Sequence, residues 1–433
     1  PIYLGNHCME ILISSLVLFI LPFAILNVYK CFGEILFWNI SCISLKKAST
    51  MNQYITLLLF SLSLTVTSCG QDSKTNREVE ITTNTTLDEA AVKSFSIDDY
   101  LKENQALDML TDSIFHSLSD KQRVAQLIMP AAGKYGKPHE TINGLIKDSL
   151  IGGILMLNGT VEQFTTWIKA FNQLNKSQGN LPFLYSADAE PSLVNRKIMG
   201  STPVKKANEI DSIQEVESVT QKISADLNKI GINYNFSPVV DMSPNSTVGY
   251  RSFGKNPENI IPWSNQFIQT TQQNNIIATA KHFPGHGLVS GDTHKSLQVI
   301  NGSLKEIQNY PPLIENGVLS IMVAHIAIEN NEMFSTNGLP STCSRRIVQD
   351  LLRDSLKFNG LIVTDAMNMG GVRNVPDNNT RAIAAGCDIL LMPANARKAH
   401  EELMKAYQGN VIKKTIDASV RRIIRMKLCL GLI

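Results

Sequence analysis

Eight short apolar runs recur along the chain, each followed by a segment with helical spacing, and this alternation narrows the possible folds more than any other feature. The runs occupy 126–130, 153–157, 181–187, 232–239, 276–280, 319–324, 361–363 and 388–392. Their apolarity is continuous rather than alternating, as in strands buried on both faces of a parallel sheet. The segments between them are amphipathic. Ile347, Val348, Leu351 and Leu352 follow helical spacing after a candidate N-cap at Ser344, and Ile416, Val420, Ile423 and Ile424 form one stripe near the end. Eight strand–helix units predict an α/β fold of the (β/α)8 TIM-barrel type in a single catalytic domain over 105–433. A doubly wound open sheet would carry the same local signals, but the chemically capable side chains favour the barrel. Asp188, Asp241, Lys281-His282, His325 and Asp365 each follow closely on an apolar run. Barrel enzymes build their sites at that rim from several strands, whereas an open sheet gathers them at one switch point.

The residues before 105 read as targeting and spacing rather than fold. From Met51 an apolar run, 54–66, ends in Val66-Thr67-Ser68-Cys69. It is shorter than the roughly 20 residues of a spanning helix and closes on small residues, as a secretory signal does. Small residues before a cysteine resemble a bacterial lipoprotein signal over 51–69, with Cys69 as the lipidated residue; an uncleaved signal anchor is the alternative, and no Lys or Arg precedes the run. A second apolar stretch, 11–26, lies upstream, and we expect residues 1–50 to be either an upstream mis-annotation, with Met51 as the start, or a membrane segment. Residues 70–104 read as a flexible polar tether. A lipid anchor on a membrane of the bacterial cell envelope is therefore expected, on the periplasmic face or the cell surface.

Forty basic residues against 38 acidic ones leave a net charge of +2, which argues against a nucleic-acid partner held by phosphate attraction. Seven scattered cysteines make no Cys-x-x-Cys pair and no disulfide scaffold. Elbow, P-loop and zincin motifs are absent from the sequence.

Three of the eight histidines fall in Lys281-His282-Phe283-Pro284-Gly285-His286-Gly287 and the following Asp292-Thr293-His294. Pro284 and three glycines make this a loop, which is poor spacing for a metal site and wrong for a dinucleotide cradle. Asp292 and His294 are close enough for the carboxylate to orient the imidazole as an acid/base pair; a capping Asp in a turn is the competing reading. Asp365, after Gly360-Leu361-Ile362-Val363-Thr364, can serve as nucleophile, base or ligand, or as the N-cap of the next helix. Asp188 has the same two readings.

These segments resemble glycoside hydrolase family 3, and within it the β-N-acetylglucosaminidase branch with a His–Asp acid/base dyad on a loop. The resemblance extends to Asn235-Phe236-Ser237-Pro238-Val239-Val240-Asp241 with Arg251-Ser252-Phe253-Gly254, to Val363-Thr364-Asp365-Ala366-Met367-Asn368-Met369, to Ala385-Gly386-Cys387-Asp388 and its continuation, and to 421–432. It implies that Asp365 is the nucleophile, His294 the proton donor and acceptor, and Asp292 its orienting partner. It further implies that Asp188, Arg251, Lys281 and His282 hold the terminal sugar. His286 is open between substrate contact and loop packing, and Asp241 is expected to be structural. The sequence departs from the family where Asp188-Ala189-Glu190 is followed by Pro191-Ser192 instead of two glycines. The implied activity is retaining, exo-acting release of terminal β-linked GlcNAc from peptidoglycan fragments or chitooligosaccharides, a carbohydrate substrate needing no cofactor and no metal. A phosphorylase or β-glucosidase on the same barrel, and a sugar-binding lipoprotein without catalysis, are the rival expectations. Oligomeric state has no signature in the sequence.

Overall fold

The computed structural model describes residues 94–242 and 244–433. The expected signal over 51–69, Cys69 as the expected lipidation residue, and the upstream stretch 1–50 all lie outside the described residues.

All eight apolar runs form parallel strands. They are β1 (Ile128–Met129, continued by Ala131–Ala132), β2 (Gly153–Met156), β3 (Leu184–Ala187), β4 (Tyr234–Asn235), β5 (Ile277–Phe283), β6 (Ser320–Val323), β7 (Leu361–Thr364) and β8 (Leu390–Leu391). Each of β2 to β7 pairs in parallel with the next in sequence. The ring closes through β1, which is broken at Pro130 because proline has no N–H for the ladder. Its first half pairs with β8 and its second half with β2. β8 in turn meets β7 through Val363 and Ile389. The closed ring is a TIM barrel rather than an open sheet, with helices between the strands.

These helices form because their apolar positions repeat every three or four residues. Helix Ile213–Ile230 buries Val216, Val219, Ile223, Leu227 and Ile230 on one side. The Ser212 hydroxyl caps its first turn by accepting from the Glu215 N–H, and Gly231 ends it at φ 95°, where a side chain would be strained. The segment after Ser344 is helical as expected, over Arg346–Ser355, but without a side-chain cap from Ser344. Two short parallel pairs outside the barrel, Gly159–Thr160 with Ile198–Met199 and Gln298–Asn301 with Ile326–Glu329, carry no signal in the sequence pattern.

The expected boundary at 105 moves. Ile97 and Tyr100 are buried, and the Arg425 guanidinium donates to the carbonyls of Asp99, Tyr100 and Lys102. Residues 97–102 are thus packed against the last helix, Lys413–Cys429, rather than belonging to a tether. Side chains of that helix also reach the end of the barrel opposite the rim. Ser419 and Arg422 hold Asp388 just before β8, and Lys427 donates to Gln126 Oε1 (2.6 Å) and the Gly152 carbonyl (3.1 Å), just before β1 and β2.

Burial lowers the Lys427 amine from 10.5 to about 7. The unfolded chain then binds more protons than the folded one between those two values, so stability should rise with pH across that window. We expect the unfolding free energy of the protein, minus that of Lys427→Met, to rise by about 1 kcal/mol per pH unit between pH 7 and 10 in urea titrations. A difference that does not change with pH would mean that Lys427 stays charged in the fold.

Candidate active site

The C-terminal ends of β3, β4, β5 and β7 converge on one polar cluster. Lys281 and His282 belong to β5, where Met322 of β6 pairs with Lys281 but Val323 pairs with Phe283. His282 is therefore an extra residue in the ladder, and such a bulge re-aims the side chains around it. Lys281, only 1% exposed, reaches Asp188 Oδ1 (2.9 Å) after β3 and Glu190 Oε1 (2.5 Å). Lys197 Nζ lies 2.5 Å from Asp188 Oδ2, and Arg251 grips Glu190 through two bonds of 2.7 and 2.8 Å.

Three cations thus surround two carboxylates. Burial opposes ionisation of both acids, but Lys197 and Lys281 hold Asp188 far below the usual carboxylate range, and Arg251 and Lys281 hold Glu190 at about 2. The structure brings the expected residues Asp188, Arg251 and Lys281 together, and adds Glu190 and Lys197, which sequence reasoning missed. Glu190 could have been suspected from its place two residues beyond Asp188; nothing local marks Lys197. We expect Lys281→Met to cost about 3 kcal/mol in urea unfolding, the low end for a broken buried ion pair because each carboxylate keeps one other cation. A loss below about 1 kcal/mol would show that the two outer cations suffice.

Asp241 organises the histidines. Its Oδ2 lies 2.6 Å from His282 Nδ1, and its Oδ1 accepts from the backbone N–H groups of His282 (3.2 Å) and His286 (2.8 Å). Burial pushes this carboxyl up, but His282 and the two histidine N–H groups win and hold it below the usual range. An anion only accepts, so His282 donates through Nδ1–H. His286 is buried with Nε2 2.9 Å from Thr293 Oγ1, and burial lowers its pKa, so it packs inside the loop as a neutral ring.

The dyad is local. Asp292 Oδ1 accepts both the His294 backbone N–H (2.9 Å) and its Nδ1–H (2.8 Å), so the turn and the oriented imidazole are one arrangement. The His294 N–H and imidazole outweigh slight burial and keep Asp292 below the usual range. With Nδ1–H given to an anion, Nε2 remains for proton exchange on a ring that is 63% exposed. The loop is docked onto the segment after β7: Gly370 N–H donates to the His294 carbonyl (2.9 Å) and Gly371 N–H to that of Thr293 (3.0 Å). A Cβ at Gly370 would lie 2.1 Å from the Lys295 carbonyl oxygen, so this approach needs glycine.

Asp365 opens that same segment. Its N–H extends the ladder to Val323 (2.9 Å), and its Oδ1 accepts from Ala366 N–H (2.7 Å). The next helix, Asn378–Ala385, begins after Asp377, so the N-cap alternative for Asp365 fails. Burial alone would raise its pKa, but the neighbouring His282 and His325 imidazoles and the Ala366 N–H bring the balance below the usual range. Behind it, the Ala366 carbonyl accepts from His325 Nε2–H (3.0 Å), whose Nδ1 takes the Thr342 hydroxyl (2.9 Å). His325 is fully buried and its pKa is lowered by that burial, so it acts as a neutral brace under the segment after β7. Among the described residues, no three His, Cys, Asp or Glu side chains are grouped to hold a metal ion.

Residues 119–426 match the glycosyl hydrolase family 3 N-terminal domain. A β-hexosaminidase of Methylobacillus flagellatus is 30% identical over 301 residues, covering 65% of this chain and 83% of that protein. A β-N-acetylglucosaminidase/β-glucosidase of Cellulomonas fimi is 28% identical over 320 residues, which cover 69% of this chain but 56% of that protein, so the chain spans little more than half of this relative's length. Among solved structures, a family 3 β-N-acetylglucosaminidase from a Paenibacillus species superposes with a TM-score of 0.67 at 27% identity, covering 73% of this chain and 63% of that one.

Proposed function

Because the chain belongs to glycosyl hydrolase family 3, we propose that it is a retaining exo-β-N-acetylglucosaminidase that works through Asp365 and the Asp292–His294 pair. The observation that carries this reading is the docking of the dyad loop, by two backbone hydrogen bonds, onto the segment that begins with Asp365. That contact holds the His294 turn against the Asp365 segment, which supports pairing them as proton donor and nucleophile. Asp365 attacks the anomeric carbon as the bond to the leaving oxygen breaks, and His294 Nε2–H passes its proton to that oxygen. In the second step His294 Nε2 takes a proton from water, the water oxygen bonds to the anomeric carbon, and the bond to Asp365 breaks. Two inversions give retention. Asp188, Lys197, Arg251 and Lys281 supply both acceptors and donors for sugar hydroxyls, and His282, fixed by Asp241, lies on the same rim. Glu190 keeps Arg251 and Lys281 extended toward the site rather than binding sugar itself.

An imidazole that is neutral when deprotonated does not repel an anionic acceptor, so phosphate is a chemically open alternative to water. The name of the Cellulomonas relative supports a second reading, in which glucosides are also turned over. Peptidoglycan fragments and chitooligosaccharides are the natural substrates that fit an exo-acting enzyme anchored through Cys69 in a bacterial envelope. Aryl β-GlcNAc and aryl β-glucoside, each with and without phosphate, test the whole assignment. Release from the GlcNAc substrate in plain buffer is expected. Dependence on phosphate with sugar 1-phosphate as product would replace hydrolysis by phosphorolysis, and no turnover of either substrate would leave a binding protein.

A further inference from the structure

The loop that carries the dyad has a second buried carboxyl beneath it. Glu306, 3% exposed and far from the sugar cluster in sequence, lies in the short turn Lys305–Asn309 after β5 and its loop. Its Oε1 accepts from the backbone N–H of Met242 (2.5 Å) and Gly287 (3.2 Å), and its Oε2 from that of Leu288 (3.2 Å). Both oxygens are thus spent on backbone donors from two different loops. Among the described residues no lysine or arginine makes an ion pair with it.

The glycines of the histidine motif are shaped around this group. A Cβ at Gly285 would fall 2.4 Å from Glu306 Oε2, and one at Gly287 would fall 2.6 Å from Oε1 and 1.5 Å from the Met242 carbonyl oxygen. The stem of the loop is therefore clamped from three sides. Asp241 takes the His286 N–H, Asn245 binds the carbonyls of Gly287, Val289 and Gly291, and Glu306 takes Gly287 and Leu288. Beyond the stem, Asp292 and His294 hang on their own turn and on Gly370 and Gly371.

We propose that Glu306 is a positioning residue for the acid/base pair: its buried carboxyl sets the path of the stem at Gly287–Leu288 and so the place of His294 relative to Asp365. The inference rests on the dyad reading given above. Burial and the neighbouring Asp241 charge push the Glu306 carboxyl up to about 8, against the pull of its three N–H donors. Because Oε1 takes two of those N–H groups and Oε2 the third, a neutral amide in its place must turn its NH2 toward at least one N–H.

The test is the leaving-group dependence of kcat/KM over a series of aryl β-GlcNAc substrates for the intact protein, Glu306→Gln and His294→Ala. A misplaced proton donor hurts poor leaving groups and spares activated ones, whereas a general loosening of the fold lowers all of them alike. For Glu306→Gln we expect a loss of about 10- to 100-fold on the poorest leaving group, under about 3-fold on the most activated one, and partial rescue in Glu306→Asp. A flat loss across the series, or none, overturns the proposal if His294→Ala itself steepens the dependence. Should His294→Ala show no steepening, it is the dyad assignment that fails. If neither Glu306 variant folds, hydrogen exchange in the wild-type protein decides: Gly287 and Leu288 amides should exchange far more slowly than those of Lys295 and Ser296, and equal rates would remove the clamp.

Discussion

Replacing Asp365 by Asn should lower kcat/KM for an aryl β-N-acetylglucosaminide by at least about 10³-fold, equivalent to about 4 kcal/mol of transition-state stabilisation, with the barrel intact. An amide has no anionic oxygen to form the bond to the anomeric carbon. Yet it is nearly isosteric, and its oxygen can still accept the Ala366 N–H that Asp365 Oδ1 accepts now. The fold should therefore survive, as judged by an unchanged urea midpoint. The same argument sets a pH expectation. The Asp365 carboxyl sits below its usual range, so the nucleophile should remain ionised at least down to about pH 4, and any acidic limb of kcat/KM above that belongs to another group. A 5-fluoro glycosyl fluoride of GlcNAc should leave one adduct on the peptide containing Asp365. Near-wild-type turnover in the Asn variant, or an adduct elsewhere, would end the assignment.

His294→Ala carries the second large effect, and it is selective. General acid assistance is worth about 10²–10⁴-fold, and it matters only when the leaving oxygen needs a proton. Chitobiose-type leaving groups should lose that full factor. Dinitrophenyl glycosides should keep their first step, seen as a pre-steady-state burst, within about 10-fold, and then stall because no base activates water. Azide, which needs no deprotonation, should restore steady turnover and give the β-glycosyl azide. Asp292→Asn should resemble a weaker His294→Ala, since it removes the acceptor that fixes Nδ1–H. Equal losses on good and poor leaving groups would argue that His294 does not donate the proton.

Much of this was legible in the chain because it is local. Asp292 and His294 are two residues apart, and one carboxylate oxygen accepts both N–H groups of the histidine without help from elsewhere. Asp188 and Asp365 could be placed at the rim because each directly follows a run of apolar residues, and a strand buried on both faces must hand its next residue to the loop. The ion-pair cluster was not legible to the same degree. Lys281, Glu190, Arg251 and Lys197 are brought together by the order of β3, β4 and β5, and no periodicity records which cation faces which acid.

The eight-strand count, the parallel sense and the rim positions of the chemical groups follow from hydrophobic patterning alone, since a continuous apolar run has few other stable fates. The closure of the ring through a β1 split at Pro130, the packing of residues 97–102 under Arg425, and the seat of the dyad loop on Gly370 and Gly371 were decided by tertiary structure. So was the burial of Glu306, a residue that the sequence reading did not single out. Its burial exists only because the Met242 and Gly287 backbones close over it from two other loops. Patterning states which residues must leave water; which polar groups satisfy one another once inside depends on distances that only the assembled barrel sets.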